Sequence, residues 1–136
     1  MSAVSQVQNA GRWIGRDSRM AETIATDNLS ATEFLVMNWT VYDFGVDDNV
    51  YHSVTYHLSG MSQNFGDLNR RHWNSFSGNV ETLVAQNVYY NEADPGGTST
   101  ATYLNGVLFV RLSRLSGNAT ETRVFYIDER PEGLQW

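Results

Sequence analysis

"TEFLVMNWTVYDF", residues 32–44, decides how this chain is read. Its odd positions Leu35, Met37, Trp39 and Val41 are uniformly apolar, whereas the even positions Phe34, Val36, Asn38, Thr40 and Tyr42 are mixed. A period of two is the mark of a β-strand, and the apolar set faces the core. "GVDDN" (45–49) then reads as a turn, and residues 50–59 as the next strand, so 33–43 and 50–59 form a hairpin. Asp43, Asp47 and Asp48 lack the spacing of a calcium loop, which needs ligands at fixed alternate positions. Within "VYHSVTYHLS", Val50, His52, Val54, Tyr56 and Leu58 share one face, and Tyr51, Ser53, Thr55, His57 and Ser59 the other. The two histidines therefore point opposite ways and cannot chelate one metal from a regular strand. The apolar face is the inward one, which predicts a buried His52 and an exposed His57.

The same pattern extends outward. "TATYLNGVLFVRL" (100–112) carries Asn105-Gly106 between two strands, the preferred pair for a two-residue type I′ hairpin. A last strand over about 119–128 follows "SGN" (116–118). Residues 59–72 read as a polar loop, with "NRRHW" (69–73) as a basic-aromatic cluster over a barrel mouth or simply in solvent. Two strands at about 72–77 and 80–90 follow, then the loop "NEADPGG" (91–97). "DSRMAETIATDNL" (17–29) reads either as a short helix capped by Asp17, with Met20, Ala21 and Ile24 as its stripe, or as a bent strand. The fold class is all-β: a single domain over 1–136, built as an antiparallel up-and-down barrel of about eight strands. A barrel of that size holds side chains or one small ligand.

Composition narrows the chemistry. The chain has 136 residues and no cysteine, and all nine of its cationic side chains are arginine. Thiolate catalysis, disulfides, cysteine-ligated zinc, Schiff-base lysine and a phosphate-loop lysine are thereby excluded. A net charge of −6 argues against nucleic acid or an anionic membrane as partner. No stretch is apolar enough for a bilayer span, and the opening "MSAVSQVQNAG" lacks the regions of a signal peptide, so a cytoplasmic protein is expected. No Ser-His-Asp set, phosphate-cradling loop or dinucleotide fingerprint appears, and no metal or cofactor is expected.

Residues 11–13, "GRW", place a Gly-x-Trp ahead of the first expected strand. This resembles the lipocalin and wider calycin pattern, and "AGRWIGRDSRM" (10–20) is also similar to the opening of calycin-type bilin lyases. The resemblance implies a small antiparallel barrel in which Trp13 closes one end beneath an arginine following the last strand, here Arg130. The alternative is that Trp13 is an ordinary core tryptophan.

Strand alternation then supplies a site. Leu35, Met37, Trp39, Val41, Val54, Tyr103, Val110 and Tyr126 would line a cavity, with His52 and Tyr56 as its catalytic or orienting polar groups. The bland reading of His52 is a core histidine satisfied by a neighbour. If "SGN" is a three-residue turn, Arg111 lies opposite Arg123 and Phe109 opposite Phe125. The face with Tyr103, Leu108, Val110, Leu112, Val124 and Tyr126 is the better core, which puts the arginines outside. Were they inside, they would form a carboxylate or phosphate pocket. The expected function is binding of a small, largely apolar molecule in the barrel. Two alternatives stay open: a cofactor-independent isomerase, cyclase or lyase that uses His52 in the same cavity, and an interaction module with a filled barrel. A homodimer is left open.

Overall fold

The computed structural model describes residues 3–128 except 28, 30 and 31. One helix, α1 (Ala3–Met20), precedes eight strands: β1 (Thr23–Ala25), β2 (Glu33–Asp43), β3 (Asp48–Ser62), β4 (Phe65–Asn74), β5 (Gly78–Tyr89), β6 (Thr100–Leu104), β7 (Val107–Ser116) and β8 (Ala119–Asp128). They form one antiparallel sheet curled into a half-barrel, an architecture consistent with a calycin-like β-barrel. β7 pairs with β5 at Val88↔Arg114 and with β6 over Thr100↔Arg111 to Leu104↔Val107, so β5 and β6 share one side of it and β8 takes the other. Among the described residues β1, β6 and β8 each pair with one neighbour only.

The helix lies in the concavity. Val7, Ala10 and Ile14 recur at helical spacing and are 0–1% exposed, packed in one core with Leu35, Met37, Val54, Tyr56, Leu68, Leu108, Val110 and Leu112. Residues 17–29, which the sequence left open as a short helix or a bent strand, divide between the two: α1 starts upstream at Ala3 and ends at Met20, and 23–25 is strand. Gly11, Gly15 and the buried Asp17 interrupt the apolar stripe, which is why its period is hard to see.

Local turn chemistry explains the meander. Asn105 and Gly106 have φ of 54° and 79°, and Leu104 pairs with Val107, as a two-residue primed turn requires. The stretch read as a loop over 59–72 is mostly strand, belonging to β3 and β4, with a second turn of that kind at its middle. Gln63 and Asn64 have φ of 53° and 70°, joining β3 to β4, and "NRRHW" lies in β4. The polar residues of β4 obscured its period. Register slips in the β4–β5 pairing around Leu68, with Asn87 at φ 56°, bend the sheet.

The last hairpin corrects the expected register. Ser116 pairs with Ala119, so Gly117-Asn118 is a two-residue turn, and β8 shifts by one residue. Arg111 lies opposite Val124, and Leu112 opposite Arg123. A one-residue slip exchanges the two faces of a strand. Phe125 therefore joins the core, while Tyr126 stands outside at 69% exposure, edge-on to Phe109. The Arg111 guanidinium donates to the carbonyls of Thr98 and Pro95 on the outer face.

Candidate functional site

Three rows of paired residues cross the concave face from β2 to β5. Leu35, Tyr56, Arg70 and Thr82 form one row, Met37, Val54, His72 and Val80 the next, and Trp39, His52 and Asn74 the third. Val41 and Val50 lie beyond them. The helix covers the first row and leaves the last uncovered.

Under the helix, Asp17 forms a two-point ion pair with Arg70: Nε donates to Oδ2 and Nη2 to Oδ1, each at 2.8 Å. The Tyr56 hydroxyl donates to the same Oδ2 at 2.5 Å. All three residues are buried. The guanidinium of Arg70 also sits 4.5 Å from the Trp13 ring, and Arg16 lies 4.9 Å from that ring. Burial pushes the Tyr56 phenol well above its ordinary range, the Asp17 charge adds to this, and Arg70 partly opposes it. Burial lowers Arg70, but its bonds to Asp17 and the charges around it raise it further, so the net shift is upward. The Asp17 carboxylate, the Tyr56 hydroxyl and two nitrogens of Arg70 are thus committed to one structural cluster. Tyr56, expected as a second catalytic group, has its hydroxyl engaged here.

Beyond the helix the chemistry changes. Trp39 stacks on His52, ring centroids 5.2 Å apart and planes 8° from parallel. His52 Nδ1 lies 2.8 Å from His72 Nε2, so one imidazole donates to the other. Trp39 is 5% exposed, yet its indole N–H has no hydrogen-bond partner among the described residues. His52 and His72 are half-buried. Burial lowers the basicity of His72, with the charges of Arg70 and His52 adding to it and Asp17 opposing. Val41 and Val80 are 42% and 60% exposed on the same face. The result is an apolar rim around two imidazoles and one unpaired donor. A histidine pair of this kind can accept and pass a proton.

Of the expected lining, Leu35, Met37, Val54 and Val110 are packed in the core with the helix, and Tyr103 is packed partly buried against it. Val41 stands at the uncovered end, more exposed than an inward position suggests, because β2 outruns the helix there. Tyr126 is on the other face, for the register reason given above. Trp39 and His52 do meet. His57, expected in solvent, is 9% exposed: its Nε2 is 3.0 Å from Glu81 Oε1, and Arg71 binds the other carboxylate oxygen at 2.8 Å. Burial raises Glu81, but the Arg71 and His57 bonds outweigh it and hold the carboxyl below its usual value. The Gly-x-Trp tryptophan, Trp13, lies within α1 rather than before a strand, and the arginines on its ring are Arg70 and Arg16; Arg130 lies outside the described residues. Sequence reasoning missed His72, Arg70 and the buried role of Asp17. The alternation of Leu68, Arg70 and His72 places all three in β4's inward row, but polar residues on both faces conceal it. Asp17 falls three residues after Ile14 on the helix stripe.

No family, relative or solved structure identifies the chain. Comparison with family models, with curated proteins and with solved structures finds no match. Among the described residues no helix is long and apolar enough to cross a membrane, and no group of three potential metal ligands occurs.

Proposed function

We propose that this calycin-like, cytoplasmic protein binds a small, largely apolar molecule at the uncovered end of the curled sheet. The carrying observation is the Trp39 indole N–H, buried and unpartnered beside two half-buried imidazoles and an apolar rim. A buried donor left unpaired costs about 1–3 kcal/mol, and an acceptor on a ligand removes that penalty. The bound molecule then has a flat apolar body, to lie along Trp39 and the valines, and one oxygen or nitrogen acceptor. This moves the binding surface from the middle of the barrel, where the helix packs, to its end.

A neutral fluorophore, N-phenyl-1-naphthylamine, tests the reading. Saturable binding is expected, weakened roughly tenfold by Trp39→Ala, which removes an aromatic wall. Trp39→Phe keeps the ring, so its loss of affinity for acceptor-bearing analogues isolates the N–H. Unchanged binding in both variants, with the fold intact, would reject the site.

The contact between His52 and His72 favours a second reading, proton transfer in an isomerase, cyclase or lyase reaction without a cofactor. Lowered basicity keeps His72 neutral and able to accept a proton near neutral pH. His52→Phe preserves ring volume and removes the relay, so turnover of a bound substrate should fall about 100-fold while binding persists. Retained turnover would remove His52 from the chemistry.

A further inference from the structure

A second concave surface lies on the other side of the helix, along the seam where α1 meets the edge strand β8. It is a groove of about 750 Å³, and consecutive residues of β8 from Arg123 to Asp128 form one wall. The opposite wall is the helix stripe containing Gly11, Arg12, Gly15 and Arg19. The two glycines have different reasons for being there. A Cβ on Gly11 would meet the Phe125 ring at 2.4 Å, so packing demands glycine at that position. Gly15 is buried too, but a Cβ there would have only the Arg19 guanidinium near it, at 4.0 Å. Nothing in the packing forbids alanine, which is ~1 kcal/mol better than glycine in a helix interior. The consequence of Gly15 is therefore an open groove floor.

Charge selects the occupant. The chain carries −6 overall and nine arginines, and three of them, Arg12, Arg19 and Arg123, line this groove. All three are exposed, and none has an ion pair or hydrogen bond among the described residues. Asp128, at the end of the same groove, is the opposing charge. Phe125 and Ile127 give the wall an apolar portion packed on the core. β8 pairs with β7 alone among the described residues, so the groove runs along a sheet edge.

We infer that the α1–β8 groove is a separate binding site for an amphipathic organic anion: a flat apolar body lying over Gly15 against Phe125, with its acidic group held by Arg12, Arg19 and Arg123. Guanidinium groups suit a carboxylate, sulfonate or phosphate because their donors pair with two oxygens at once.

The full chain and 8-anilinonaphthalene-1-sulfonate test the site. One saturable site is expected, with affinity lowered roughly tenfold by Arg12→Gln and by Arg123→Gln, as for loss of a charge-assisted hydrogen bond. Gly15→Ala should raise the Tm by roughly 3 °C, since it only improves the helix. Gly15→Leu should fill the floor and abolish binding while the fold survives, judged by its circular dichroism. Trp39→Ala should leave sulfonate binding unchanged, so failure of the proposed site at the sheet end and failure of this one are separable. Sulfonate affinity unmoved by the arginine variants and by Gly15→Leu overturns the inference. Equal affinity for the neutral N-phenyl-1-naphthylamine at this site also overturns it.

Discussion

The concave face has two halves that differ in how completely their polar atoms are used. Under the helix, both carboxylate oxygens of Asp17, the Tyr56 hydroxyl and Nε and Nη2 of Arg70 are bonded within one cluster, and all three residues are buried. At the uncovered end, Trp39 keeps an unpaired donor and two histidines share a single bond. Both halves sit on the same strands, β2 to β4. The difference comes from the reach of an 18-residue helix beneath strands that extend past it. A buried charge must be satisfied for the chain to fold, whereas a half-exposed imidazole can wait for a ligand.

The largest effect should come from the covered half. Asp17→Asn leaves Arg70 buried without a counter-charge and should destabilise the protein by about 3–5 kcal/mol in urea unfolding. A loss below 1 kcal/mol would mean that the cluster is solvated and that the contrast between the halves is wrong. A smaller effect is expected at the closest approach of helix and sheet. Gly11→Ala overpacks against Phe125, and overpacking costs about 1–3 kcal/mol, more than the ~1 kcal/mol that alanine gains in a helix. Net stabilisation by this change would show that α1 has room to move.

The smallest effect lies at the open end and appears in pH dependence. Burial, then Arg70 and His52, hold His72 below its ordinary value of 6.5 in the folded chain. As pH falls below that value, the unfolded chain takes up a proton that the folded chain does not. Stability is therefore full above 6.5 and declines as pH falls toward the lowered folded value. His72→Gln should flatten this part of the stability curve, measured by thermal melts between pH 5 and 8, with little change at its upper end. An unchanged slope would move the pH sensitivity to other groups.

Legibility in the sequence followed the strength of the local signal. The pairing of β2 with β3 was readable because one face of β2 is uniformly apolar, and Trp39 and His52 meet as that alternation requires, whereas the length of β3 and the burial of His57 beside Glu81 were not. Asn105-Gly106 was readable because a primed turn demands positive φ at both positions. The β7–β8 hairpin was not. "SGN" allows a two- or three-residue turn, and both faces of β8 carry aromatic and aliphatic residues, so its hydrophobic pattern could not choose the register.

The sequence by itself determined an all-β meander, the inward face of its strongest hairpin, and the exclusion of cysteine and lysine chemistry. Only the tertiary structure decided what occupies the concavity. Val7, Ala10 and Ile14 form a stripe too narrow and too interrupted by glycine to announce a core helix. That helix becomes stable through burial against the sheet and through Asp17 meeting Arg70, 53 residues away in the chain. The same long-range contact assigned Tyr56 to structure and left His52 with His72. No local period carries that information, because it depends on where the helix stops along strands folded much later in the sequence.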